Sequence, residues 1–178
     1  MKKITLSSAL RHPATCIATW FGSGLSPIVS GTAGSLAALP FAYAIEAYLG
    51  HAALLAASIS IFLIGWWASN QYLKATGRDD DPSEIVVDEV AGQWLLLSFL
   101  PLTWQAYLVG FVLFRAFDIV KPWPVSLADQ NIKGGLGIML DDILAALYPL
   151  VIYLLLDVLG MHAWLVRLQI FLGGGHVF

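Results

Sequence analysis

The run from Ala52 to Leu73 constrains the fold most, because its only strongly polar groups are Asn70 and Gln71 at its far end. A helix rises about 1.5 Å per residue, so such a run can cross the roughly 30 Å of hydrocarbon in a bilayer. It is one of several apolar stretches. Gly31–Leu49 is interrupted by Pro40 and contains Glu46, and Ile143–Leu159 closes the series. Between them Val90–Ala116 is apolar but carries Pro101-Leu102-Thr103-Trp104 near its middle. Glycine, proline or charged residues separate the stretches, and Gly50-His51 suits a hairpin turn between the first two. Hydrophobic residues make up 58 % of the chain and charged residues 12 %, with a mean hydropathy of +0.77. Soluble domains hold about 45–50 % apolar and about 25 % charged residues, so this is a membrane composition. The expected fold is an all-α, compact helical bundle embedded in a membrane, a single domain over 1–178. Its motif-bearing core covers about 20–146, and 147–178 forms a C-terminal helical tail with an interfacial helix beyond His162.

Charge placement decides how Val90–Ala116 runs. As one kinked span it would leave Arg115, Lys121 and Lys133 on the opposite side from Lys2, Lys3, Arg11, Lys74 and Arg78. As two short helices, Val90–Leu100 and Gln105–Ala116, it puts eight of the nine basic residues on one face and leaves only Arg167 elsewhere. The positive-inside tendency favours the hairpin and makes that face cytoplasmic. Helices of about 11–14 residues are too short to span the hydrocarbon, so the pair dips into the bilayer or packs within the bundle.

Several function classes drop out. A net charge of −3 with few charged groups offers no field for nucleic acid. The single cysteine, Cys16, excludes an internal disulfide and a zinc ribbon. His12, His51, His162 and His176 are scattered away from the acidic segments, which argues against a histidine metal triad or a phosphohistidine intermediate. Pro13, Gly22, Gly24 and Pro27 break the segment after Lys2, Lys3 and Arg11, so a cleaved signal peptide is not expected.

Three constellations carry chemistry. Phe21-Gly22-Ser23-Gly24-Leu25-Ser26-Pro27 leads into Gly31-Thr32-Ala33-Gly34-Ser35 at the start of an apolar helix. Glycines admit close approach of a ligand and free N–H groups at a helix start attract anions, so this segment suits a phosphate. The same residues also suit a plain loop, with Thr32 or Ser35 capping the helix. Second, Glu84-Ile-Val-Val-Asp88-Glu89 places two acids directly before an apolar helix, with Glu84 four residues ahead of Asp88 on the same helical face. Third, Arg115, Asp118, Lys121, Asp129, Lys133 and Asp141-Asp142 crowd around Gly134-Gly135-Leu136-Gly137. Singly these residues allow a helix-surface ion pair, a proline helix stop at Pro122 and an aspartate cap on the next helix. Together they form a set of hard oxygen ligands suited to Mg²⁺, with Arg115, Lys121 and Lys133 able to neutralise phosphate. Metal-activated water with a carboxylate as general base is the chemistry that remains.

These motifs resemble the phosphatidylglycerophosphatase A family. The likeness rests on Phe21–Pro27 with Gly31–Leu36, on Ile85-Val-Val-Asp-Glu89 with Gly92 and Trp94, on Phe114–Pro124, and on Gly134–Asp142, in that order. It departs at Ser30, where a second proline is usual, and at Ala146, where glycine commonly stands. Both are small, so local packing should differ and no chemical group is lost. The resemblance implies a Mg²⁺-dependent, multi-pass phosphatase of the bacterial inner membrane, with its active site facing the cytoplasm. Such an enzyme converts phosphatidylglycerophosphate to phosphatidylglycerol and phosphate. Its catalytic and metal-binding residues would be Asp88, Glu89, Asp118, Asp141 and Asp142, with Asp129 and Glu84 as lesser candidates. Arg115, Lys121, Lys133, Gly22, Ser23, Gly24 and Ser26 would hold the phosphate. Two rival readings are a small membrane transporter or ion-binding protein and a lipid phosphotransferase. The first needs acids inside the spans, where only Glu46 and Asp157 occur.

Overall fold

The computed structural model describes residues 5–78, 81–123 and 132–159. These residues form helices with no strand among them, as the apolar pattern predicts. Two short helices, α1 (Leu6–Arg11) and α2 (Pro13–Ala18), precede a 3₁₀ turn at Ser23–Leu25. Then come α3 (Ser30–Leu49), α4 (His51–Thr76), α5 (Val87–Leu97), α6 (Trp104–Val120) and α7 (Gly134–Val158). Gly50 makes the α3–α4 turn with φ of +84°, a conformation that costs glycine little and a β-carbon much. Thr103 starts α6 by accepting a hydrogen bond from the Ala106 N–H, so Val90–Ala116 is indeed a hairpin of two helices.

Helix α5 is the axis of the bundle. All its residues except Leu95 are buried, and it packs against α3, α4, α6 and α7. At about 1.5 Å per residue it is only about 16 Å long. Gly92 brings it close to α7 and α6: a β-carbon there would meet the Asp142 carbonyl oxygen at 2.7 Å and the Phe114 ring at 2.8 Å. The Trp94 indole N–H donates to the Ala38 carbonyl of α3 at 3.1 Å, and the Ser58 hydroxyl of α4 donates to the Ala91 carbonyl at 2.8 Å. These bonds fix the height of α5 between its neighbours.

Among the described residues, helices α4 and α7 are the two long and apolar enough to cross a membrane. Their outer faces expose Ile59, Leu63 and Trp67 on α4 and Val151, Leu155 and Val158 on α7. An apolar exterior around a bundle that buries acids is a membrane arrangement, the reverse of a soluble one. Ala146 lies fully buried in the main core cluster, in keeping with a packing role.

Two sequence expectations about this architecture need correcting. The last helix begins at Gly134, so residue 146 marks no boundary and Asp141 and Asp142 lie two turns inside α7, not at its cap. Glu84 precedes α5 and shares no helical face with Asp88; it binds Arg78 at 3.1 Å instead. Asp129 and the expected interfacial helix of the tail lie outside the described residues.

Candidate active site

The N-terminus of α5, the C-terminal turn of α6 and the second turn of α7 converge on a cavity of about 370 Å³. Val29, Ser30, Gly31 and Thr32, where α3 begins, form another wall, and Asp81, Pro82 and Ser83 form the lip. Six carboxylates line this space, from Asp81, Asp88, Glu89, Asp118, Asp141 and Asp142, against two cations, Arg115 and Lys121.

Helical spacing explains why these side chains meet. Asp88 and Glu89 sit in the first turn of α5, where free N–H groups favour negative charge. Arg115 and Asp118 lie three apart on α6 and pair directly; Arg115 also reaches across to Glu89, Nη1 to Oε1, at 3.4 Å. Lys121 follows the last turn of α6 with a left-handed φ of +44°, and its amine pairs with Asp141. Arg115 and Lys121 thereby tie α6 to α5 and α7 at the cavity wall.

The acids are unusually buried. Asp88, Glu89, Asp118, Asp141 and Asp142 are each less than one-tenth exposed. One carboxylate oxygen each from Asp88, Glu89 and Asp142 can lie within 4.8 Å of the others. Asp88 Oδ1, Glu89 Oε2 and Asp142 Oδ2 are buried without a hydrogen-bond partner among the described residues. Leaving such oxygens unmet costs free energy, which protons or a cation would offset. Burial pushes the Asp88 carboxyl well above its usual range, and the charges of Glu89 and Asp142 add to this. Glu89 is pushed up to about 7, chiefly by burial; the Asp118 charge also raises it, while Asp88 and Arg115 pull the other way. Three clustered carboxylates, each with a buried oxygen that has no hydrogen-bond partner among the described residues, fit a divalent cation such as Mg²⁺.

The predicted residues divide cleanly. The structure gathers Asp88, Glu89, Asp118, Asp141, Asp142, Arg115 and Lys121 around one cavity. It leaves Gly22, Ser23, Gly24 and Ser26 out of that lining. Ser23 donates to the Trp20 carbonyl at 2.9 Å and Ser26 to the Ile28 carbonyl at 2.9 Å, so both hydroxyls serve their own turn. Gly24 packs on the Glu84 backbone. The part of this motif that faces the acids is Ser30-Gly31-Thr32, and neither Thr32 nor Ser35 caps α3, whose N-cap is Val29. The signal for it was present in the sequence: three small residues in a row opening an apolar helix. Lys133 also lies elsewhere, beside Lys74 and Arg78 at the ends of α4 and α7. Asp81 and Ser83 were not named as site residues; the polar break from Lys74 to Glu84 that holds them reads from sequence as lying either in water or over a site, and both residues line the cavity.

Comparison with known proteins agrees with the arrangement. The family described as Phosphatidylglycerophosphatase A matches residues 16–157. The chain is 45 % identical to the Escherichia coli K12 protein of that name, over 76 % of this chain and 78 % of the relative. It is 38 % identical to the Haemophilus influenzae protein of the same name, over 85 % of this chain and 91 % of the relative. A Bacteroides thetaiotaomicron protein with the provisional name phosphatidylinositol-3-phosphatase is 43 % identical, over 76 % of this chain and 88 % of the relative. No solved structure matches. With the family match spanning most of the chain and the buried acids, Arg115 and Lys121 meeting at one cavity, the chain belongs to the phosphatidylglycerophosphatase A family.

Proposed function

We propose that this protein is a lipid phosphatase that hydrolyses the terminal phosphomonoester of phosphatidylglycerophosphate, giving phosphatidylglycerol and phosphate. The observation that carries this reading is the cluster of buried Asp88, Glu89 and Asp142 carboxylates, each with an oxygen lacking a hydrogen-bond partner among the described residues, beside Arg115 in a chain 45 % identical to a phosphatidylglycerophosphatase A. Asp88, Glu89 and Asp142 would hold Mg²⁺, with Asp118 and Asp141 completing or orienting the set. Bound there, Mg²⁺ would supply charge neutralisation at the phosphoryl oxygens and a more acidic water.

The chain's own groups account for the remaining steps. Arg115 and Lys121 offer charge-assisted donors to the phosphate oxygens, and the uncapped start of α3 at Ser30–Thr32 adds backbone N–H groups and a favourable helix dipole. A carboxylate of the set accepts the proton of the attacking water, and the leaving alkoxide is protonated as it departs. Burial in the bundle limits bulk water, which strengthens each of these interactions. Helices α4 and α7 serve as spans with the acidic cavity at the cytoplasmic face of a bacterial inner membrane, a side favoured by Lys74, Arg78, Arg115, Lys121 and Lys133 at that end of the bundle.

The test is phosphate release from phosphatidylglycerophosphate in detergent by the purified protein, with Mg²⁺ and with chelator. Mg²⁺-dependent release is expected, and a folded sample inactive in both would overturn the reading. Phosphatidylinositol 3-phosphate run in parallel reports selectivity. An added alcohol acceptor that captured the phosphoryl group would indicate a transferase instead.

A further inference from the structure

A second cavity, of about 560 Å³, opens where the C-terminus of α4 meets the N-terminus of α7. Among the described residues its charged lining is basic: Lys74, Arg78 and Lys133, with Asn70, Leu73 and Gly77 between them. Arg78 shares its charge with Glu84 at 3.1 Å, and neither Lys74 nor Lys133 makes an ion pair among the described residues. Lys74 and Lys133, beside an Arg78 already shared with Glu84, leave a local positive field that an anion would offset. The hollow is rigidly framed, because Asn70 accepts a hydrogen bond from the Gly135 N–H at 3.0 Å and so locks the two helix ends together.

Position identifies the anion. Lys74 stands in the last turn of α4 and Lys133 immediately before α7, both helices long and apolar enough to span a membrane. The cavity therefore lies at the depth where a span leaves hydrocarbon and meets lipid phosphates. Basic pockets between spans on the cytoplasmic side recognise anionic headgroups, and flexible lysines suit a singly charged, hydrated phosphodiester. Among the described residues, this hollow has no lining residue in common with the acidic cavity.

We propose that Lys74, Arg78 and Lys133 form a binding site for the phosphodiester of an anionic phospholipid, distinct from the carboxylate site. Two lipids present that group: a second anionic lipid in the same leaflet, and the substrate itself through its inner diester. The probe is dioctanoylphosphatidylmethanol, whose only charge is a phosphodiester, titrated against the full chain in neutral detergent and read by native mass spectrometry. Dioctanoylphosphatidylcholine is the zwitterionic comparison.

The wild-type protein should retain the anionic lipid over the zwitterionic one. Each of Lys74→Gln and Lys133→Gln should weaken retention about five-fold, with Lys74→Arg and Lys133→Arg close to wild type. Equal retention of both lipids, or unchanged retention in the glutamine double variant at an unchanged unfolding temperature, would overturn the proposal. The kinetic arm alone rests on the phosphatase reading. A higher KM of the double variant for phosphatidylglycerophosphate in neutral detergent assigns the site to the substrate's own diester. A KM altered only when anionic lipid is added assigns it to a neighbour. If neither protein hydrolyses the substrate, the phosphatase reading fails while the binding result still decides this proposal.

Discussion

Gly31 at the start of α3 lies directly against Glu89 in the first turn of α5. A β-carbon on Gly31 would fall 2.1 Å from Glu89 Oε1 and 2.9 Å from Arg115 Nη2. The glycine is thus the floor against which the carboxylate and the guanidinium are set. Gly31→Ala must displace one of them, and misplacement on the scale of 1 Å can cost about a hundred-fold in rate. Turnover of phosphatidylglycerophosphate is expected to fall at least about ten-fold, with a small change in unfolding temperature. Wild-type kinetics in this variant would show that the contact is not part of the working site.

Removing one charge from the acid cluster should separate stability from activity. Asp88→Asn and Asp142→Asn each relieve repulsion among buried carboxylates, so their unfolding temperatures in chelator should exceed that of the wild type. Both should lose turnover and lose the stabilisation that Mg²⁺ gives the wild type, a gain of about 2.7 kcal/mol at a concentration 100 times Kd. Asp141→Asn should also abolish turnover by weakening the pairing with Lys121. Normal turnover in any of the three removes that residue from the site.

The raised Glu89 carboxyl gives the metal-free protein a definite pH dependence. Its value moves from 4.5 to about 7 on folding. Between those values the folded state keeps a proton that the unfolded chain has released, so the stability linked to Glu89 is full at low pH and declines as pH rises toward 7. Cation binding needs the ionised form, so Mg²⁺ affinity should climb over the same window. Thermal melts at about pH 5 and about pH 8, in chelator and in Mg²⁺, read both trends. A chelator curve that rose with pH would contradict the assignment.

Far from the cavity, Tyr107 donates to Glu46 Oε2 at 2.7 Å, and His51 Nδ1 lies 3.0 Å from the other carboxylate oxygen. Tyr107 is eight residues ahead of Arg115 on α6, about 12 Å along the axis. Tyr107→Phe leaves a buried carboxylate oxygen without its donor, at a cost of about 1–3 kcal/mol. Unfolding should shift accordingly while kcat and KM stay at wild-type values. A large loss of activity at unchanged stability would show that this end of the bundle communicates with the cavity.

Much of this protein follows from its sequence alone. The unbroken apolar run of α4 dictates helix, because only internally bonded backbone survives in hydrocarbon. Basic residues on both sides of Pro101 favoured a hairpin over one span, and α5 and α6 form it. The chemical groups of the cavity were legible too, since aspartates crowd with Arg115 and Lys121 near a glycine-rich segment in a chain with few charges.

Tertiary packing decided what local pattern could not. Gly134, Gly135 and Gly137 read as a turn, yet they open α7, because docking on α4 outweighs a penalty of about 1 kcal/mol per glycine. Glu84 and Asp88 have helical spacing, but α5 starts only at Val87 and Glu84 turns to Arg78. The sequence reading set the phosphate on Gly22–Ser26, but it is Ser30–Thr32 that lines the acidic cavity, with Gly31 against Glu89. Lys133 and Asp141 are neighbours in sequence, but two turns of helix carry them to different cavities. Sequence names the groups through composition and period. Which of them meet depends on contacts between distant helices, which local periodicity does not encode.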